Sequence, residues 1–198
     1  MLQQLNTGLD RALAGAQRGS LWFARAGGIL ILLTVVLVTL EVLIRQFLGR
    51  SPLHATELTG YVMAISASWA FAYTLVHKAH IRIDVLYLKC PVAVRGVLDL
   101  IALLSLALFC VLVVGAAFDV TALSFNGGAL ANTPLETPVW IPQALWLTGL
   151  AWFALVVVLM SLRVLLGLLT GQIGRVQEVA GSPTLDEQVA EENKGSAS

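Results

Sequence analysis

An all-α membrane protein, with four transmembrane helices and a short interfacial amphipathic helix at the N-terminus, is the fold class this sequence predicts. Three observations carry that expectation. Four long apolar stretches run over about residues 27–48, 57–77, 94–123 and 140–169. Each holds the roughly 20 residues that a helix needs to cross a hydrocarbon core of about 30 Å. Of the 198 residues 58% are hydrophobic and 12% charged, a balance that favours a lipid-embedded chain over a water-soluble one. Ionisable groups collect where the apolar stretches end, which marks where water begins.

The elements follow in chain order. Leu2, Leu5, Leu9 and Leu13 recur three or four residues apart among polar neighbours that include Asp10, Arg11 and Arg18. That spacing predicts a short helix over residues 1–20 lying on the cytoplasmic leaflet. The transmembrane domain is expected over 21–172. Its first apolar run starts late and is too long for a signal-peptide core, so it should remain in the mature protein. Pro91 precedes the third span, while Pro138 and Pro142 flank the start of the fourth, positions where proline suits a helix beginning. The third and fourth spans exceed the minimum length and should tilt or project. Residues 173–198, rich in Gly, Ser, Glu and Asn, read as a disordered cytoplasmic tail.

Lys and Arg placement orients the bundle. Arg11, Arg18 and Arg25 precede the first span, Lys78, Arg82, Lys89 and Arg95 separate the second from the third, and Arg175 follows the fourth. The loop over 126–139 has neither Lys nor Arg. The positive-inside rule then places both termini in the cytoplasm. Net charge is zero and the basic residues are scattered, which argues against a nucleic-acid partner and leaves membrane lipid as the surrounding medium. Cys90 and Cys110 form no C-x-x-C, and Cys110, inside an apolar run, reads as a small hydrophobe.

The most informative segment is ELTGYVMAISASWAFAYTLVHKAHIRID, Glu57 to Asp84. Gly60, Ala64, Ser68 and Ala72 recur every four residues, with Glu57 at their head and Tyr61 beside them. Small residues in such a stripe let helices approach closely in lipid. The stripe fits packing inside this bundle and docking against another polypeptide equally well. In the first span Glu41 precedes Arg45 by four residues, the favourable helical order for an ion pair. A neutralised pair near the interface, linking helices, is the expected reading, ahead of a proton relay. No cofactor is expected, because His54, His77 and His80 all lie at span ends. No convergent polar constellation suggests an enzyme.

The stretch RQFLGRSPLHATELTGYVMAISASWAFAYTLVHKAHIRIDVL, Arg45 to Leu86, resembles the signature region of the small membrane subunit of TRAP transporters, the DctQ type. Arg45, Gly49, Glu57, Tyr61, His80, Arg82 and Asp84 match that family's pattern residue by residue. Thr133 to Leu165 resembles its proline- and tryptophan-bearing entry to the last helix. Two departures stand out. Gln46 replaces a frequent aromatic, and Thr56-Glu57 offers one acid where the family often has two.

The resemblance implies the small, non-transporting scaffold subunit of a sodium-coupled, binding-protein-dependent transporter for organic acids. Its implied partners are a large elevator-type membrane subunit and a periplasmic substrate-binding protein, and its implied place is the bacterial inner membrane. Glu57, Gly60, Tyr61, Ala64, Ser68 and Ala72 would face the large subunit, and His80, Arg82 and Asp84 would anchor the cytoplasmic side. The alternative is a self-sufficient small four-helix exporter. Such exporters are much shorter and place their first-helix acid near mid-membrane without an arginine four residues on.

Arg82 and Asp84 are two apart and cannot face each other along one helix. If they form an anchor with other groups at the inner surface, Arg82→Ala lowers uptake or assembly without changing topology. Arg82→Lys then restores it only in part, since lysine lacks the planar fork. Full uptake in both variants, measured in cells with topology checked by reporter fusions, would reduce the motif to topology.

Overall fold

The computed structural model describes residues 2–49, 54–77 and 91–170. Four helices account for nearly all of them: α1 (Leu2–Leu48), α2 (Ala55–Val76), α3 (Val92–Asn126) and α4 (Trp140–Leu169). All four are long and apolar enough to span a membrane. The expected fold class therefore holds, with one difference at the N-terminus. Residues 2–20 are helical but form no separate surface helix, because they continue without a break into the first span. Leu13 packs on the core and Ala16 is part of it, so at these two residues the segment meets protein rather than the leaflet. The tail, residues 173–198, lies outside the described residues.

Helix ends follow local chemistry. Gly49, at φ +66°, ends α1, and its N–H bonds the carbonyl of Arg45 at 3.0 Å, a conformation glycine adopts without strain. At the start of α2 the N–H of Ala55 is accepted by Glu41 Oε2 at 2.5 Å, so a carboxylate on α1 caps the next helix. Pro142 sits in the first turn of α4, where the missing N–H has no helical partner to lose. Between α3 and α4 the chain folds on itself. Ala131 N–H bonds Thr137 O at 2.9 Å, Val139 N–H bonds Ala129 O at 3.1 Å, and an isolated antiparallel bridge joins Leu130 to Pro138.

The central element is α4. It packs against α3 on one side and α2 and α1 on the other, while α1 also lies along α2. Val156, Val157 and Val164 are fully buried along it. Its tightest contact is at Gly149, where an added Cβ would lie 2.8 Å from the backbone carbon of Ser68 and 2.6 Å from Trp69 Cδ1. Close backbone approach at a small residue is how helices associate where lipid is as apolar as the side chains. Polar bonds fix the register. Trp69 Nε1 donates to Leu145 O at 3.0 Å and to Thr148 Oγ1 at 3.2 Å. Trp152 Nε1 donates to Ser20 Oγ at 3.1 Å, and Ser66 Oγ donates to Gly27 O at 3.0 Å. Phe23 fills the space between the two tryptophans, 5.4 Å from the ring of Trp69 and 5.5 Å from that of Trp152.

A methyl group at residue 149 has backbone in front of it, which cannot rotate away. Gly149→Ala should therefore separate α2 from α4 and cost about 1–3 kcal/mol. The expected outcome is a lower thermal midpoint in mild detergent, while Gly60→Ala, at a glycine with open space around it, leaves the midpoint unchanged.

Candidate functional site

The small-residue stripe of α2 does not keep to one environment. Gly60 and Ala64 are exposed, whereas Ser68 and Ala72 are buried under the chain's own helices. The cause is geometric. A four-residue repeat advances about 40° around a helix at each step, so three steps turn it by about 120°. The N-terminal half thus faces away from the bundle and the C-terminal half faces α4, where Ser68 meets Gly149. Ser68 and Ala72 are already covered and have no surface to offer another chain.

Glu57 heads the stripe and ties α2 to the loop before α4. Its Oε1 accepts the Tyr61 hydroxyl at 2.8 Å and the Thr137 hydroxyl at 3.1 Å. Beside the exposed part of the stripe, α1 and α2 frame a groove of about 380 Å³ lined by Ile31, Val35, Val38, Val62 and Met63. Thr34, Thr39 and Thr59 also border it, but each hydroxyl donates to the carbonyl four residues back, at 2.9, 2.8 and 2.7 Å. With those donors satisfied, the groove presents an apolar surface.

Glu41 is buried and serves as the cap on α2, and among the described residues no ion pair joins it to Arg45, which is exposed. His80, Arg82 and Asp84 lie outside the described residues. No group of three or more His, Cys, Asp or Glu side chains gathers among the described residues to hold a metal.

One ionic contact had no signal in the sequence. Arg163, only 3% exposed, places Nε 2.7 Å from Asp10 Oδ1 across the bundle. Both residues were visible as charges near apolar segments, but their separation along the chain hides the pairing. Only the absence of a neutralising acid within a turn of Arg163 could have hinted that its partner lay elsewhere.

A four-helix polytopic membrane protein emerges, whose polar side chains chiefly bind helices to one another and whose exposed apolar faces await lipid or protein. Residues 34–167 match the family described as tripartite ATP-independent periplasmic transporters, DctQ component. The chain belongs to that family, a family of transporter components, and is thus the small membrane subunit of a tripartite transporter. Neither a curated protein nor a solved structure matches it.

The Asp10–Arg163 pair makes a separable claim. Asp10→Ala leaves a buried guanidinium without its acceptor, which costs more than removing both charges together. Asp10→Ala should lower the thermal midpoint by several degrees, and Asp10→Ala with Arg163→Met should recover most of the loss. A double variant no better than the single would mean the pair contributes nothing.

Proposed function

We propose that this chain is the non-transporting scaffold of its transporter. In this reading it fixes a large membrane subunit in the inner membrane while that subunit moves an organic acid, delivered by a periplasmic binding protein, with a sodium gradient as the driving force. Both termini face the cytoplasm, as the arginines of α1 favour.

The observation that carries the reading is the N-terminal half of α2. There Gly60 and Ala64 are exposed, next to an apolar groove whose hydroxyls are already satisfied. Small residues beside a dry groove suit a helix that packs closely on another. The large subunit's contact is therefore assigned to Gly60, Ala64 and the groove, with Glu57 and Tyr61 holding the adjoining loop in place. His80, Arg82 and Asp84 serve as the cytoplasmic anchor. A scaffold role also agrees with four uninterrupted helices, since carriers commonly build their midplane sites from broken ones.

Ala64→Leu is the decisive change. A leucine there should fill the approach without disturbing insertion, because leucine partitions readily into membranes. The variant is expected at normal abundance but without a co-purifying large subunit, and uptake by the reconstituted three-part system should fall with it. The unaltered chain reconstituted alone should move no organic acid under a sodium gradient. Saturable sodium-dependent uptake by the chain alone would instead favour the exporter.

A further inference from the structure

The lipid-facing surfaces of α1 and α3 are displaced along the bundle. On α1 the exposed surface is apolar between Arg25 and Arg45, about 30 Å at 1.5 Å per residue. N-terminal to it the same side of the helix carries Arg11, Arg18, Trp22 and Arg25, all exposed, with Trp22 at 72%. On α3 the exposed surface lacks ionisable groups between Arg95 and Asp119, about 36 Å. Each length suits one crossing of a hydrocarbon core of about 30 Å.

Contacts already described set the relative heights. Asp10 meets Arg163 and Ser20 meets Trp152, so α1 and α4 run antiparallel in even register. Phe125 stacks edge-on against Trp140, 5.3 Å between ring centres, which sets α3 against α4 in the same way. Followed through α4, Arg25 lies level with Ala117 and Phe118, within two residues of Asp119. The residue that ends the apolar surface of α1 on its N-terminal side therefore lies within about 3 Å of the height of the residue that ends that of α3 on the opposite side. Trp22 is likewise level with Gly115, and Leu112, which is 64% exposed, falls between the heights of Arg18 and Trp22.

An upright bundle cannot satisfy both surfaces. It would either submerge the arginines of α1, at about 2.5–3.5 kcal/mol each near a helix centre, or leave the exposed leucines and phenylalanines of α3 in water. We infer that the membrane crosses this bundle obliquely, with the hydrocarbon core level with α3 chiefly between Arg95 and Asp119 and with α1 between Arg25 and Arg45, where lipid meets the side of α1 away from the groove. Lipid is the occupant of the α3 surface because bulky side chains dominate it: Leu98, Ile101, Leu104, Leu108, Phe109 and Leu112. Helix interfaces in membranes favour small residues instead. Ser105 on this face is satisfied by its own helix, donating to Ile101 O at 2.8 Å.

The test is depth measured by spin labels on the full chain in lipid nanodiscs, with Cys90 and Cys110 replaced by serine. Labels at Trp22→Cys and Leu112→Cys stand at nearly one height on opposite sides. The oblique seating expects oxygen access without nickel-chelate access at residue 112, and the reverse at residue 22. Their depths should differ by more than half of the roughly 30 Å core. A second pair, Ile29→Cys and Leu123→Cys, expects residue 29 in the core and residue 123 at the far surface, and it decides the matter if a label in the first pair prevents folding. Equal depths within a pair would overturn the inference. So would loss of oxygen access at residue 112 when the large subunit is added, which would make the α3 surface a protein interface.

Discussion

The close passage of α4 over α2 at Gly149 is the constraint on which the remaining architecture depends. Because no side chain intervenes, Trp69 can reach past the helix edge to the carbonyl of Leu145 and the hydroxyl of Thr148. That places Phe23 of α1 between two indoles and brings Trp152 to Ser20. In lipid no hydrophobic effect drives helices together, so dispersion at short range and a few well-aimed donors must hold the bundle. Large aromatic side chains with one polar atom meet both needs, since each supplies contact area and a directional bond.

Much of this was legible in the sequence because membrane thickness imposes a length on every span. The second and fourth helices end within a residue or two of where hydropathy placed them, and glycine and proline punctuate the turns. The N-terminal segment was misjudged for a specific reason. Spacing of Leu2, Leu5, Leu9 and Leu13 shows that one side is apolar but not whether lipid or protein covers it. No breaker between that segment and the first span stopped the helix from continuing. The α2 stripe was legible as a repeat, but its drift around the helix decides which members are free. A linear pattern of fours conceals that rotation until the neighbouring helix is known.

Charged groups were the least legible part. Glu41 and Arg45 have the spacing of an ion pair, yet the carboxylate turns to the unsatisfied first amide of α2. An amide at a helix start is a fixed donor only one loop away, and binding it orders both helix ends at once. Arg163 is matched by an acid near the other end of the chain. Local rules describe neighbours in sequence, whereas a buried charge is answered by whichever acid the tertiary fold delivers.

Cys110 lies buried in the seam between α3 and α4, the chief attachment of α3 to the rest of the molecule. The thiol is inert while the seam is shut. A membrane-permeant alkylating reagent applied to a chain carrying this cysteine as its sole thiol would react only as fast as α3 lifts from α4. The sequence has thus supplied a chemical clock for the opening of one particular seam, readable by mass alone.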